Sequence, residues 1–335
     1  MAKTYQHFGI IGGGAWGTAL ALALLRAGRQ VTLWAYEKDV AEAINTKHEN
    51  PTYLKGIKLS PGIEATSKLE DIAKCDAWIL VSPAQHLRGI CKQLHKVAGK
   101  SAAPAIIASK GIENSTSALL SSVVTAELPG HPVAVLSGPS FAIEVAKALP
   151  AALTLAVKDK VLGTDLLQAM ATPQLRLYLS DDIVGAQIGG AVKNVLAVAC
   201  GIVTGRHLGD NARAAIITRG LAELMRLGVA MSGRAETLMG LSGLGDLVLT
   251  CSSPQSRNMS LGIELGKGKS LEEILASRSS VTEGVTTAAA ALALAQKHKI
   301  EMPIVAAVDA VLNHKANIET VIAGLLARPL KQETH

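Results

Sequence analysis

The stretch Phe8-Gly9-Ile10-Ile11-Gly12-Gly13-Gly14-Ala15-Trp16-Gly17-Thr18-Ala19-Leu20-Ala21 decides the fold class of this chain. His7 to Ile11 reads as a short buried strand, and three glycines at 12, 14 and 17 follow it directly. Ala15 to Ala27 then reads as a helix that stops at Gly28, where a left-handed cap costs glycine nothing. Val31 to Ala35 is the next strand, so the first 35 residues make one βαβ unit. In such a G-x-G-x-x-G turn Gly12 allows the tight bend, Gly14 lets a pyrophosphate approach the backbone, and Gly17 lets helix and strand pack closely. A tight turn with no ligand is the alternative. Thr18 stands where an ATPase-type phosphate loop needs lysine, which excludes that motif.

Outward from this unit, short apolar runs recur at Ala77 to Val81, Ala105 to Ala108, Val133 to Leu136 and Leu153 to Val157, separated in several places by helix-length segments. The alternation predicts an α/β fold with a Rossmann-type, doubly wound, mostly parallel sheet. Past about Ser180 the strand-like runs give way to long Ala/Leu/Gly-rich helical stretches. The expected boundary lies at Asp181-Asp182, which can also cap the next helix, giving a dinucleotide-binding unit over 1–181 and an all-helical unit over 182–335.

Composition agrees with this reading. The 335 residues are 49% hydrophobic and 18% charged, which excludes a disordered chain. Two Phe, three Trp and four Tyr stand against 31 glycines, so the cores must be aliphatic and the backbone tightly turned. A net charge of +6 from scattered lysines and arginines favours acidic small molecules over nucleic acid. Cys75, Cys91, Cys200 and Cys251 have no C-x-x-C spacing and no nearby histidine pair, so reduced structural thiols in a cytoplasmic chain and no metal site are expected. Residues 4–25 lack any charged side chain and mimic a targeting or membrane segment, but five early glycines and the Arg26 to Gly28 stop argue against one.

Several residues stand where chemistry is expected. Tyr36 and Glu37 end the second strand, and Glu37 lies twenty residues past Gly17, where a carboxylate can accept from an adenosine ribose or be a solvated surface acid. Ser82, Lys110 and Ser137-Gly138-Pro139-Ser140 follow later strands on the edge where open parallel sheets bind ligands. The apolar helix Ile183 to Thr204 carries Lys193-Asn194, with Gly189, Gly190 and Ala197 one turn to either side. That stripped face leaves room for a ligand or another backbone around an ammonium whose burial suits proton transfer. The plainer reading is a glycine-mediated helix crossing with a snorkelling lysine. Finally, Gly240 to Asp246 and Cys251 to Asn258 form a polar loop in helical sequence. Ser256, Arg257 and Asn258 can converge there on a phosphate, or simply cap a helix.

These segments resemble the bacterial-type NAD(P)-dependent glycerol-3-phosphate dehydrogenases. The resemblance rests on IGGGAWGTALA at 11–21, SKGIE at 109–113, SGPSFAIEVA at 137–146, GGAVKNVLAVACGIVTG at 189–205, GLSGLGDLVLTCSSPQSRNMSLG at 240–262 and VTEGVTTA at 281–288. It implies a helical substrate-binding domain and reduction of dihydroxyacetone phosphate to sn-glycerol 3-phosphate for phospholipid synthesis. It implies Lys193 as the proton-transferring lysine and Lys110 as a second lysine touching cofactor and substrate. Gly138, Ser140, Asp246, Ser256, Arg257 and Asn258 match substrate positions. Gly12, Gly14, Ala15, Trp16, Gly17, Tyr36, Glu37, Tyr53, Ala142, Arg257, Val281 and Glu283 are the cofactor candidates. Tyr36 departs from the basic residue common in relatives, which leaves NAD and NADP both open. A homodimer is the family expectation. A β-hydroxy-acid or 6-phosphogluconate dehydrogenase would need a different substrate signature, and a non-catalytic NAD(H) sensor would have no use for Lys193 beside Arg257 and Asn258.

Overall fold

A computed structural model describes residues 4–99, 101–278 and 281–329; the tail of the expected helical unit, 330–335, lies outside them. The strands are β1 His7–Ile11, β2 Gln30–Trp34, β3 Ile63–Thr66, β4 Ala77–Leu80, β5 Ala105–Ile107, β6 Val133–Ser137, β7 Ala151–Val157 and β8 Leu175–Ser180. They form one sheet in the order β3-β2-β1-β4-β5-β6-β7-β8. Every neighbouring pair is parallel except β6 with β7. The first six strands therefore run 3-2-1-4-5-6, and the winding reverses between β1 and β4, which opens a crevice beyond their carboxyl ends.

Two strands were not expected from the sequence. Ile63–Thr66 buries only Ile63 fully, as an edge strand does, so its sequence carries little apolar signal. Leu175–Ser180 buries Leu175 and Leu177 and exposes Arg176 and Tyr178. Its period of two is legible, but a search for continuous apolar runs passes over it.

The scarcity of aromatics shows in the cores. Phe8 and Trp78 are fully buried, and aliphatic residues fill most of the space around them on both faces of the sheet. A third cluster lies among the helices after β8, centred on Ile183–Gly205. Asp182 caps that helix, accepting from Gly185 N at 2.8 Å and from Arg234 N at 2.7 Å. Among the described residues this helix alone is long and apolar enough to cross a membrane, and 94% of its apolar window is buried inside the protein, which makes it a core helix.

Glycines bring a second helix, Arg257–Gly266, unusually close to it. A Cβ on Gly262 would lie 2.1 Å from Val198 O, and one on Gly201 would lie 2.1 Å from Met259 O. Gly205 and Gly266 repeat the contact one turn on. A glycine-mediated crossing therefore exists on this helix, but two turns beyond Lys193. Gly262→Ala should force the helices apart and lower stability by about 1–3 kcal/mol, read as a lower urea midpoint at unchanged slope.

Candidate active site

The glycine turn divides its labour as the motif requires. Gly12 has φ +135°, and a Cβ there would meet the Val81 carbonyl at 2.9 Å; a Cβ on Gly17 would lie 1.9 Å from Gly12 O. Gly14 has nothing within 4 Å of its Cβ position, so its face is open to a guest. It is the N-cap of Ala15–Arg26 and provides no side-chain cap, which leaves the first-turn amides available to an anion. Trp16 Nε1, in the first turn of that helix, is buried without a partner among the described residues. At the end of β2, Tyr53 donates its hydroxyl to Glu37 Oε1 at 2.9 Å, and burial together with that bond raises the Tyr53 pKa. Tyr36 is 80% exposed with its ring edge-on to Trp34. Tyr36, Glu37 and Tyr53 thus gather at one end of the crevice, and the residues present fit a dinucleotide.

The other end is organised by a buried carboxylate. Asp246 is fully buried; it follows a wide π-type turn at Leu241–Gly245 and opens the helix Asp246–Ser252. Its Oδ2 accepts from Lys110 Nζ at 2.6 Å and its Oδ1 accepts from Lys193 Nζ. Lys110 also donates to Gly138 O at 3.0 Å, and Lys193 to Thr250 Oγ1 at 2.9 Å. The small-residue face around Lys193 makes this possible: a Cβ on Gly189 would lie 2.1 Å from Ser242 O, and one on Gly190 would lie 2.8 Å from Ser137 Oγ and 3.5 Å from Lys110 Cγ. Lys193 does not snorkel, being 6% exposed. Burial pulls its pKa down to about 7; Asp246 opposes that shift and Lys110 adds to it.

Thr250, which was not among the sequence candidates, completes this cluster, and Asn194, noted beside Lys193, links it to Asn258. Thr250 is one helical turn after Asp246, the only signal that could have found it. Asn194 Oδ1 accepts from Asn258 Nδ2 at 2.9 Å, while Asn258 Oδ1 accepts from Gly284 N at 2.8 Å. The expected convergence of Ser256, Arg257 and Asn258 on a phosphate is thereby narrowed. Ser256 Oγ caps its own helix by accepting from Met259 N, and most of the Asn258 amide is engaged within the protein. The Arg257 guanidinium has no hydrogen-bond or ion-pair partner among the described residues. Arg257 is exposed as a residue, yet desolvation by the surrounding protein lowers the pKa of its guanidinium, and Glu283 pulls the other way.

Glu283 faces the same region. One of its oxygens accepts from Ala84 N at 3.3 Å, and the other is buried with no hydrogen-bond partner among the described residues. Burial raises its pKa to about 7 against the Ala84 amide and Arg257. Ser82, Ser137, Ser242 and Thr287 also hold buried hydroxyls without partners among the described residues. Orphaned polar groups are rare in native interiors, and two of these hydroxyls stand at the carboxyl edge of the sheet, Ser82 just past β4 and Ser137 at the end of β6. Gly138 has φ +145°, Ser140 Oγ donates back to Gly138 O at 3.3 Å, and Ala142 opens the helix Ala142–Ala146. Val281 is 45% exposed two residues before the helix Glu283–Lys297.

The sequence matches family profiles described as the NAD-dependent glycerol-3-phosphate dehydrogenase N-terminus over residues 7–162 and C-terminus over residues 182–323. It is 52% identical over 336 aligned residues to the glycerol-3-phosphate dehydrogenase [NAD(P)+] of Parvibaculum lavamentivorans, covering 100% of both chains. It is 54% identical to that of Caulobacter vibrioides, over 98% of this chain and 99% of the relative. The chain belongs to the NAD-dependent glycerol-3-phosphate dehydrogenase family. The crystal structure of the glycerol-3-phosphate dehydrogenase from Coxiella burnetii superposes with a TM-score of 0.93 at 38% identity, covering 97% of this chain and 99% of that one.

In this family member the carboxylate between two ammonium groups is a structural as well as a chemical element. Asp246→Ala would leave Lys193 buried without a counter-charge. The variant should lose about 3–5 kcal/mol of stability in urea titration, far more than an exposed ion pair contributes.

Proposed function

We propose that this glycerol-3-phosphate dehydrogenase interconverts dihydroxyacetone phosphate and sn-glycerol 3-phosphate by proton transfer through Lys193. The observation that carries the reading is the pair of ammonium groups sharing Asp246 beside Gly138, at the carboxyl edge of the sheet. NADH or NADPH, bound along the glycine turn and the crevice, supplies the hydride. Gly12, Gly14, Ala15, Trp16 and Gly17 would hold its pyrophosphate end, Tyr36, Glu37 and Tyr53 its adenosine end, and Ala142, Val281 and Glu283 the remainder.

Lys193 holds the proton that the alkoxide oxygen needs when the ketone is reduced, and in the reverse direction its neutral amine accepts the proton of the alcohol. Lys110 stabilises the same developing charge from the opposite oxygen of Asp246. Arg257, with the second amide hydrogen of Asn258, holds the substrate phosphate, and Gly138 and Ser140 border the carbon chain. Asp246 keeps both lysines in place, and Ser256 fixes the helix end from which Arg257 projects. Two bound reactants held in one orientation can account for roughly 7–11 kcal/mol of the barrier. The segment before Asp182 would thus serve the dinucleotide and the helical segment after it the substrate. The setting we infer is a cytoplasmic homodimer supplying glycerol 3-phosphate for phospholipid synthesis; the four buried, unbridged cysteines suit a reducing compartment.

Oxidation of NADH and of NADPH, followed with dihydroxyacetone phosphate as the sole acceptor, tests the reaction and ranks the cofactors. Lys193→Met should lower kcat by at least about a hundredfold while cofactor affinity, read by fluorescence titration, stays the same; retained turnover would remove Lys193 from the mechanism. Because its pKa is lowered to about 7, the kcat of ketone reduction in the native enzyme should fall as pH rises through about 7, and that of alcohol oxidation should fall as pH drops through it. Arg257→Ala should raise the KM for dihydroxyacetone phosphate by roughly ten- to a hundredfold, the loss of a charge-assisted contact. An unchanged KM would place the phosphate elsewhere.

A further inference from the structure

The segment SKGIE at 109–113 carries Lys110, yet its last residue, Glu113, makes none of the contacts described above. Glu113 is 5% exposed and accepts a two-pronged bond from Arg88, with Nε to Oε1 at 2.8 Å and Nη2 to Oε2 at 2.7 Å. The remaining prong of Arg88 reaches Glu127, and Thr116 donates its hydroxyl to Glu113. Gln85 grips the same loop by its backbone, donating to Ile112 O at 2.8 Å and accepting from Asn114 N at 2.9 Å. Upstream of Lys110, Ser109 donates to Ser82 O at 2.6 Å. Gly111 lies against the same segment, since a Cβ there would be 2.7 Å from Ala84 Cβ.

Lys110 is therefore held on both sides by residues 82–88, which follow β4 and also present the Ala84 amide to Glu283. A buried ion pair adds little net stability once desolvation is counted, and its best-supported use is to specify one arrangement. A guanidinium fork on a carboxylate fixes orientation as well as distance. Within the loop from Ser109 to Leu119 the ties are local and few: the isolated bridge of Ile112 with Leu119, the Glu113 N to Ala118 O bond, and the Thr116 hydroxyl, which donates to Glu113 and accepts from Ala118 N. Without the clamp the Lys110 ammonium would have to find Asp246 from a loop anchored to the β4 side only upstream, through Ser109.

We propose that the Arg88–Glu113 ion pair, assisted by Gln85, is a positioning device for Lys110, setting the ammonium against Asp246 and the substrate oxygen. The inference rests on the reading of Lys110 as a substrate-contacting lysine. Glu113 and Arg88 touch no reacting atom and act only through that side chain. Their effect must then vanish when Lys110 is removed, which a purely structural role would not do.

A double-mutant cycle tests this. Glu113→Gln should lower kcat/KM for dihydroxyacetone phosphate by roughly ten- to a hundredfold, and in a Lys110→Met background it should cost nothing further. In the cofactor-free protein the same substitution should speed amide hydrogen exchange over residues 109–113. Native kcat/KM, an equal loss in both backgrounds, or unchanged exchange would each overturn the proposal. If Lys110→Met by itself leaves kcat/KM unchanged, the placement of Lys110 at the substrate fails first and the positioning role falls with it. Should Glu113→Gln not fold, Gln85→Ala enters the same cycle, since it removes only the two backbone bonds, and the same outcomes decide.

Discussion

A single carboxylate with no contact to water constrains this molecule. Asp246 holds Lys193 from the long core helix and Lys110 from the loop after β5, and neither ammonium could be withdrawn from solvent without it. Three charges in low dielectric tolerate one arrangement, because each misplaced atom restores part of a large desolvation penalty. The sheet edge and the helices after β8 must therefore meet where Asp246 sits. The meeting also tunes chemistry: burial and the neighbouring Lys110 bring Lys193 to about 7, despite the opposing carboxylate, so that it can both give and take a proton near neutral pH.

Glycine makes the approach possible. Gly189 lets the backbone of the turn before Asp246 lie directly against the core helix, and Gly190 leaves space for the Lys110 stem and Ser137. The same helix then crosses Arg257–Gly266 through Gly201, Gly205, Gly262 and Gly266, which fixes the origin of Arg257 relative to Lys193. With so few aromatic side chains, closeness of backbones takes the place of bulk in these cores. The glycine turn at 12–17 works in the opposite sense, since Gly14 leaves its face open rather than filling it.

Much of this was legible. The strand, turn and helix at 7–26 announced the dinucleotide crevice because each step depends on local backbone geometry. Lys193 stood out because a charged residue within an apolar helix needs a reason. Edge strands were harder: Ile63–Thr66 is too little buried to show a pattern, and Leu175–Ser180 shows alternation rather than a run. For Ser256 and Asn258 the sequence left two readings open, a phosphate contact and a helix cap, and the structure shows Ser256 capping its helix and Asn258 bonded to Asn194 and Gly284. A side chain suited to bind phosphate is equally suited to cap a helix or pair with another amide, and only its neighbours decide which. Arg88 gave no signal, Thr250 only its place one turn after Asp246, and Asn194 only its place beside Lys193, since the bonds to Glu113, Lys193 and Asn258 that give them their roles span 25, 57 and 64 residues of chain.

The sequence by itself determined the class of fold, the glycine turn after the first strand and which polar residues stand at strand ends and within the apolar helix, because spacing along a strand, a turn or a helix is a local property. Only the tertiary structure decided which of those residues meet. It set Asp246 between two lysines and left Glu283 with an oxygen that has no hydrogen-bond partner among the described residues. It also anchored Lys110 through Glu113 and Arg88. Those outcomes depend on desolvation and on contacts between distant segments, and neither exists until the chain has packed.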